Sequence, residues 1–292
     1  MHLALLRKVV VAALSLVAAA GSSWARAGAQ SVTLQIKPRV GDTLRMRLDQ
    51  ESELTGVRRR SDGESGTMVL TSMRMFSRAI VEGASDQRDG EGGGTTVLAV
   101  TDSVLLSTTD EHVRAAAVQI QEQMRGQRIR FRVAPDGTVE MMHSPGGTPR
   151  EVVQVVSLMP AAFPKGPISV GESWIREMPL PAGTQLGAQV SGKLHVTFRL
   201  DSLTHGREWA YVSMRGEMRP ATGPGASASV LDKGLVNGTM LVDQRRGWLI
   251  ESRFNIVVSS TVTPPSSMMA GGITSMHMQM RITQHMHTFE RR

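Results

Sequence analysis

The residues best suited to chemistry form a run of alternating methionine and histidine near the end of the chain, SMHMQMRITQHMH. The two-residue period of a β-strand would place Met276, Met278 and Met280 on one face and His285 and His287 on the other. Thioether sulfur binds Cu(I), and imidazole binds Cu(II) or Zn(II). One interpretation of this run is therefore a copper-binding strand.

A second interpretation of the methionine face is hydrophobic core. The chain contains 19 methionines but only 4% aromatic residues, and flexible methionine fills space that larger rings would otherwise fill. His285 and His287 would lie about 7 Å apart along the strand, so a metal site would need a third ligand from another strand. We therefore predict no metal and no cofactor, and we keep Met276, Met278 and Met280 as candidate contacts for a hydrophobic ligand.

The sequence carries no recognisable catalytic motif. It has no cysteine, which excludes thiol chemistry, and it lacks a Gly-x-Ser-x-Gly elbow, a His-Glu-x-x-His pair and a P-loop. Asp201, His205 and Glu208 would converge if the chain turns between them, but a polar hairpin loop explains them more simply. We predict that the protein is not an enzyme.

The beginning of the chain predicts a secretory signal peptide. Arg7 and Lys8 precede an apolar run over residues 9–20, which is too short to span a bilayer, and small residues that suit a cleavage site follow it. We assign residues 1–29 to the signal peptide and residues 30–292 to a single β-rich domain. This domain is expected in the periplasm or outside the cell, without a transmembrane anchor after cleavage.

Composition limits the classes of partner. Loss of Arg7, Lys8 and Arg26 with the signal peptide lowers the net charge from +7 to +4. The remaining basic residues are scattered except for the triplet 58–60, so we predict no nucleic-acid partner. Because the chain has no cysteine, disulfides cannot stabilise it, and an apolar core must do so.

Alternating apolar residues predict strands through most of the chain. A charged, glycine-containing stretch over residues 54–66 is predicted to form a loop. Thr108 and Glu111 form a capping box for a helix that Gly126 ends, and a second short helix is predicted over residues 148–160. This order predicts a mainly β fold, in which a large curved antiparallel sheet or half-open β-barrel wraps two short helices.

The middle of the chain contains a predicted corner, PKGPISVGESW, at residues 164–174. Its prolines and glycines exclude a helix, and Trp174 follows them as an anchor for the turn. A tryptophan in this position more often buries its ring against a sheet than binds a ligand. We nevertheless keep Trp174 as a candidate ligand contact.

The stretch FPKGPISVGESW at residues 163–174, with LVDQRRGWLIES at residues 241–252, resembles a pattern in uncharacterised exported bacterial envelope proteins. Glu172 stands where these proteins usually have aspartate. The resemblance implies secretion and a β-rich fold similar to the periplasmic lipoprotein carriers, whose half-open barrel holds acyl chains. It implies no catalytic residues.

These observations predict a non-enzymatic envelope protein that binds a lipid-like or peptide ligand on a concave sheet. Two alternatives stay open at this stage. One is a structural or interaction protein of the envelope, and the other is a copper-binding protein.

Replacing Met276, Met278 and Met280 together by leucine separates core from copper binding. Leucine keeps volume and apolarity, so each change is expected to cost less than about 1.5 kcal/mol of unfolding free energy. We expect the triple variant to fold and the wild type to bind no Cu(I) tightly enough to compete with a chelator under reducing conditions. Tight binding by the wild type that the leucines abolish would favour the copper interpretation.

Overall fold

The computed structural model describes most of the chain after the predicted signal peptide. The described ranges are 31–60, 63–85, 93–142, 163–179, 192–220, 229–262 and 273–289. The predicted signal peptide and the predicted second helix, residues 148–160, lie outside them.

Strands dominate the described chain, which also contains helix α1, Glu111–Met124, and a 3-10 turn at His205–Arg207. The strands in chain order are β1 Ser31–Val32, β2 Thr43–Arg60, β3 Gly63–Ser85, β4 Gly94–Thr108, β5 Arg128–Val133, β6 Val139–Met141, β7 Ile168–Ser169, β8 Ser173–Pro179, β9 Gly192–Thr204, β10 Trp209–Pro220, β11 Ser229–Asp243, β12 Trp248–Val262 and β13 Ile273–Phe289.

Eleven strands form one antiparallel sheet in the order β6-β5-β4-β3-β2-β13-β12-β11-β10-β9-β8, while β1 pairs with β7 in a separate ribbon. The prediction of a mainly β fold built on one large antiparallel sheet is confirmed. The sheet is not closed into a barrel, since the described edge strands β6 and β8 do not pair with each other.

Helix α1 lies where the sequence predicts it. Its first turn is capped by Asp110 rather than Thr108, because the Val113 amide donates to Asp110 Oδ1 at 3.2 Å. Thr108 Oγ1 instead accepts from the Asp110 amide at 3.2 Å. Gly126, at φ +72°, ends the helix in a left-handed conformation that glycine adopts without strain.

The predicted loop over residues 54–66 is wrong. Strand β2 continues to Arg60, and β3 begins at Gly63, so the two strands form one long hairpin. An ion pair joins Arg59 and Glu64 across it at 2.7 Å. Strand β13 pairs with β2 along its whole length, and these backbone hydrogen bonds override the polar local composition.

The sheet has an apolar concave face and a polar convex face. In β13 the alternation predicted from sequence holds, because Met280 and Met286 are buried while His277 and Arg281 are exposed. On the concave side of β11, Gly238 leaves room for close contacts with its neighbours β12 and β10. A Cβ atom on Gly238 would lie 2.3 Å from the Arg253 carbonyl oxygen and 2.7 Å from the terminal methyl group of Met214.

A crossing segment, residues 33–38, connects two distant turns of the sheet. The Ile36 amide donates to the Pro135 carbonyl, in the β5–β6 turn, at 2.9 Å. The next amide, of Lys37, donates to the Gly247 carbonyl, in the β11–β12 turn, at 2.8 Å. Leu34 within this segment is only 1% exposed, so the segment is part of the core.

A bridging segment, residues 163–172, links the two edges of the sheet. The Phe163 amide donates to the Asp136 carbonyl at 2.9 Å, beside edge strand β6. On the opposite edge strand, β8, the Arg176 guanidinium donates to the Phe163 carbonyl and lies 3.7 Å from the Asp136 carboxylate. The predicted corner lies in this segment, with Gly171 at φ +90°.

Within the described ranges, no helix has the length and apolarity needed to cross a lipid bilayer.

Gly238→Ala tests the close strand approach. The added methyl group would overlap a backbone oxygen, so we expect a loss of about 1–3 kcal/mol in unfolding free energy. The control is Gly83→Ala in β3, where a Cβ atom would meet nothing within 4 Å. That change is expected to be neutral or to stabilise by about 0.4–1 kcal/mol. Equal effects in chemical denaturation would contradict the tight packing at Gly238.

Candidate ligand cavity

An apolar cavity of about 120 Å³ lies on the concave face, at the end of the sheet that the crossing segment covers. The sheet contributes most of its wall. Large side chains come from Met46 and Leu48 on β2, Met75 on β3, Phe131 on β5 and Met286 on β13. Strand alternation directs these residues to one face, and the curvature of the sheet brings them around one space.

Among the described residues, three segments outside the eleven-stranded sheet also contribute to the wall. They contribute Ile36 from the crossing segment, Met124 from the last turn of α1 and Phe163 from the start of the bridging segment. All three side chains are buried. The cavity therefore lies between the sheet and the segments that cross it, and its shape depends on their backbone hydrogen bonds.

The size of the cavity suits a small apolar group. An engineered cavity of about 150 Å³ with an apolar lining binds benzene, whereas whole drug-sized ligands occupy about 300–1,000 Å³. The cavity of this protein can accept one ring or a short length of alkyl chain. A longer ligand would have to extend beyond it.

Few side chains of the described lining are polar, and two of them carry a buried polar atom without a hydrogen-bond partner among the described residues. Gln284 is 2% exposed and Trp248 is 7% exposed, and both line the cavity. The Gln284 Oε1 atom and the Trp248 Nε1 atom make no hydrogen bond to the described part of the chain. Ser77 and Thr101 are the other polar side chains of the lining, and none of the described lining residues is charged.

A second, half-buried amide with a buried oxygen stands beside Gln284. Gln50 on β2 is its cross-strand partner, so the two Cβ atoms lie about 5 Å apart. The Gln50 Oε1 atom is also buried without a partner among the described residues. Unpaired buried amides destabilise a protein by about 1–3 kcal/mol each, so this pair is an exception that calls for a reason.

Trp174, a residue that the sequence predicts as a ligand contact, lies on edge strand β8 and is half-buried. Its ring stacks on Phe198, with 5.6 Å between ring centroids and an interplanar angle of 16°. Trp174 packs against the core and does not line the cavity. Four strands separate β8 from β13, which carries the other predicted contacts.

The methionines proposed from sequence lie on the concave face, away from the cavity. Met280 is buried, and Met276 and Met278 are half-buried. None of them lines the cavity, because Met280 stands four residues, or about 13 Å, before Gln284 along β13. Their role as ligand contacts stays a prediction.

On the convex face, His285 of β13 meets an acidic residue that also pairs with an arginine. His285 Nε2 lies 2.9 Å from Glu251 Oε1, and Arg253 lies 2.6 Å from the same carboxylate. Burial alone would raise the pKa of Glu251, but hydrogen bonds from His285 and Arg253 outweigh it and hold that pKa below its usual value. Across the described ranges, no three His, Asp or Glu side chains are grouped as a metal site requires.

The three polar residues considered for catalysis have separate contacts. Asp201 accepts a hydrogen bond from Ser213 at 3.1 Å, the His205 ring lies against that of Trp209 at a tilt of 34°, and Glu208 lies 3.6 Å from Arg245. The hairpin-loop interpretation accounts for these contacts.

The sequence interpretation overlooked Gln284 and Trp248. A signal for Gln284 was present, because it occupies an inward position in a row that otherwise contains Met280, Ile282 and Met286. A single polar residue in an apolar strand face is a candidate ligand contact. Trp248 offered no such signal. Its position beside the cavity depends on the β11–β12 turn, in which the Gly247 carbonyl accepts a hydrogen bond from the Lys37 amide.

No protein-family model and no curated protein matches the sequence, consistent with the resemblance to uncharacterised proteins. Lipovitellin, in a structure concerned with its lipid–protein interactions, is similar over 85% of this chain at 9% identity, with a TM-score of 0.47. This chain spans 25% of the lipovitellin chain. An outer membrane channel from Pseudomonas putida F1 is similar over 88% of this chain and 98% of its own, at 9% identity and a TM-score of 0.25. At these TM-scores neither likeness carries an argument about function.

Trp174→Ala distinguishes packing from ligand contact. Truncating a buried aromatic residue costs about 3–5 kcal/mol, and the half-buried, stacked ring of Trp174 should contribute about 2 kcal/mol. The neighbouring Ile175 is 68% exposed, so Ile175→Ala should change stability by less than about 0.5 kcal/mol. Near-native stability of Trp174→Ala combined with lost binding of an apolar probe would identify Trp174 as a ligand contact.

Proposed function

We propose that this chain is an exported, non-enzymatic envelope protein that binds a hydrophobic, lipid-like ligand on the concave face of its sheet. The observation that carries the proposal is the apolar cavity between the sheet and the crossing segment. Export rests on the predicted signal peptide, and the absence of catalytic motifs from the sequence supports a binding role.

Physical chemistry favours a lipid-like ligand over a peptide. Five methionines line the cavity together with branched aliphatic residues, and flexible thioether side chains adapt to apolar ligands of different shape. A peptide would bring several backbone amides that require partners. The uncharged lining offers few of them, whereas an alkyl chain requires none.

An interaction protein of the envelope is the second candidate. Three large apolar residues are exposed on β3 and β4, namely Met68 at 59%, Leu70 at 42% and Leu105 at 58%. Met68 and Leu70 are neighbours on one face of β3, and grouped exposed apolar residues are typical of surfaces that bind other proteins. This surface is separate from the cavity, so variants can test the two functions independently.

Uptake of N-phenyl-1-naphthylamine, an uncharged dye that fluoresces in apolar surroundings, tests ligand binding. We expect saturable binding by the protein, with a Kd in the micromolar range or below, because the cavity removes an aromatic ring from water. Absence of saturable uptake would exclude the carrier function and leave the interaction function.

A pair of variants on β4 locates the bound dye. Ala99 lines the cavity, so Ala99→Phe should fill it and weaken dye binding at least tenfold. Leu105→Phe adds a ring to the opposite, exposed face of the same strand and should leave dye binding unchanged. Thermal unfolding of both variants verifies that they are folded. Equal dye binding by both would place the dye elsewhere.

A further inference from the structure

The unpaired polar atoms of the cavity specify the chemistry of the ligand. We infer that the cavity recognises an uncharged amphiphile carrying a hydroxyl group, such as a long-chain alcohol or a hydroxylated lipid, and that this group enters the protein to meet Gln284. This inference rests on the proposed ligand-binding function. It adds the ligand's polar group and its orientation.

Burying Gln284 without a partner for its side-chain oxygen destabilises the protein. Its side chain is 98% buried, since it is 2% exposed, and its Oε1 atom has no partner within the described ranges. A leucine at this position would continue the apolar row of β13 without that desolvation cost. A polar group supplied by a ligand would offset the cost, and the site would then prefer ligands that carry one.

The unpaired atoms near the cavity include both hydrogen-bond acceptors and a donor. Gln284 Oε1 and its neighbour Gln50 Oε1 are acceptors, whereas Trp248 Nε1 is a donor. A hydroxyl group both donates and accepts, so it suits either kind of atom. It also suits the Gln284 amide in either of its two orientations, because these exchange a donor for an acceptor.

The lining of the cavity also restricts the charge of the ligand. None of the described residues that line the cavity is Lys, Arg, His, Asp or Glu. An ionised carboxylate, phosphate or amine in this space would have no opposite charge, and burying an unpaired ion is strongly unfavourable. The cavity should therefore discriminate against ionised fatty acids and favour neutral amphiphiles of the same chain length.

Competition against N-phenyl-1-naphthylamine by octan-1-ol, octane and octanoate at pH 8 tests the inference. Octan-1-ol should bind at least a hundredfold more tightly than octanoate. The decisive quantity is the ratio of the octan-1-ol affinity to the octane affinity, compared between the wild type and variants. The hydration of each ligand is the same in both experiments, so comparing the ratio between wild type and variant cancels the difference in hydration of the two ligands.

Gln284→Leu should lower that ratio at least tenfold, because leucine removes the partner of the hydroxyl group and leaves the apolar wall. Trp248→Phe should lower it by a smaller factor. The control is Gln279→Leu, which makes the same change on the exposed face of β13, away from the cavity, and should leave the ratio unchanged. Since leucine removes an unpaired buried amide, Gln284→Leu should fold at least as stably as the wild type.

The possible outcomes distinguish a failure of ligand binding from a failure of hydroxyl recognition. Failure of the wild type to bind the dye would contradict ligand binding itself. Dye binding with a ratio that Gln284→Leu does not change would overturn the inference, since the amide would then be hydrated or purely structural. Octanoate binding as tight as octan-1-ol binding would also overturn it.

Discussion

Two backbone hydrogen bonds hold the crossing segment over the apolar face of the sheet, those from Ile36 to Pro135 and from Lys37 to Gly247. An open, twisted sheet of eleven strands tends to curl, and its apolar face must be covered. The crossing segment supplies this cover at one end and connects turns that lie far apart in the strand order. Without these bonds, the concave face near Met46 and Phe131 would be open to water.

This arrangement covers the concave face without filling it. The sequence contains few rings, with 6 phenylalanines, 4 tryptophans and 1 tyrosine against 19 methionines. Large rings fill space efficiently, whereas a wall of methionines and aliphatic residues on a curved sheet leaves room between the sheet and the segments above it. The cavity is thus a consequence of composition and curvature together.

Ion pairs, and not apolar packing, organise the convex face. Asp49 lies 2.7 Å from Arg47 and 2.6 Å from Arg74. Burial by itself would raise the pKa of Asp49, but the hydrogen bonds and charges of both arginines hold it below its usual value. Such partly exposed pairs contribute little stability each. Their main effect is to keep much of the convex face polar, apart from the exposed apolar residues on β3 and β4, so that the core and the cavity form on the concave face.

Local sequence determined the strand periodicity of β13, helix α1 with its stop at Gly126, and the turn at Gly171, because each depends on neighbouring residues. It failed at residues 54–66, where pairing with β13 extends β2 through a polar stretch. Of the candidate site, only Gln284 carried a signal in the sequence, as a polar residue in an apolar strand face. Trp174 and the methionines at 276–280 are apolar residues of the expected faces, yet the cavity lies beside Gln284 and Trp248. Only strand register and the crossing segment decide which inward-facing residues surround a space, and both depend on contacts between residues distant in the chain.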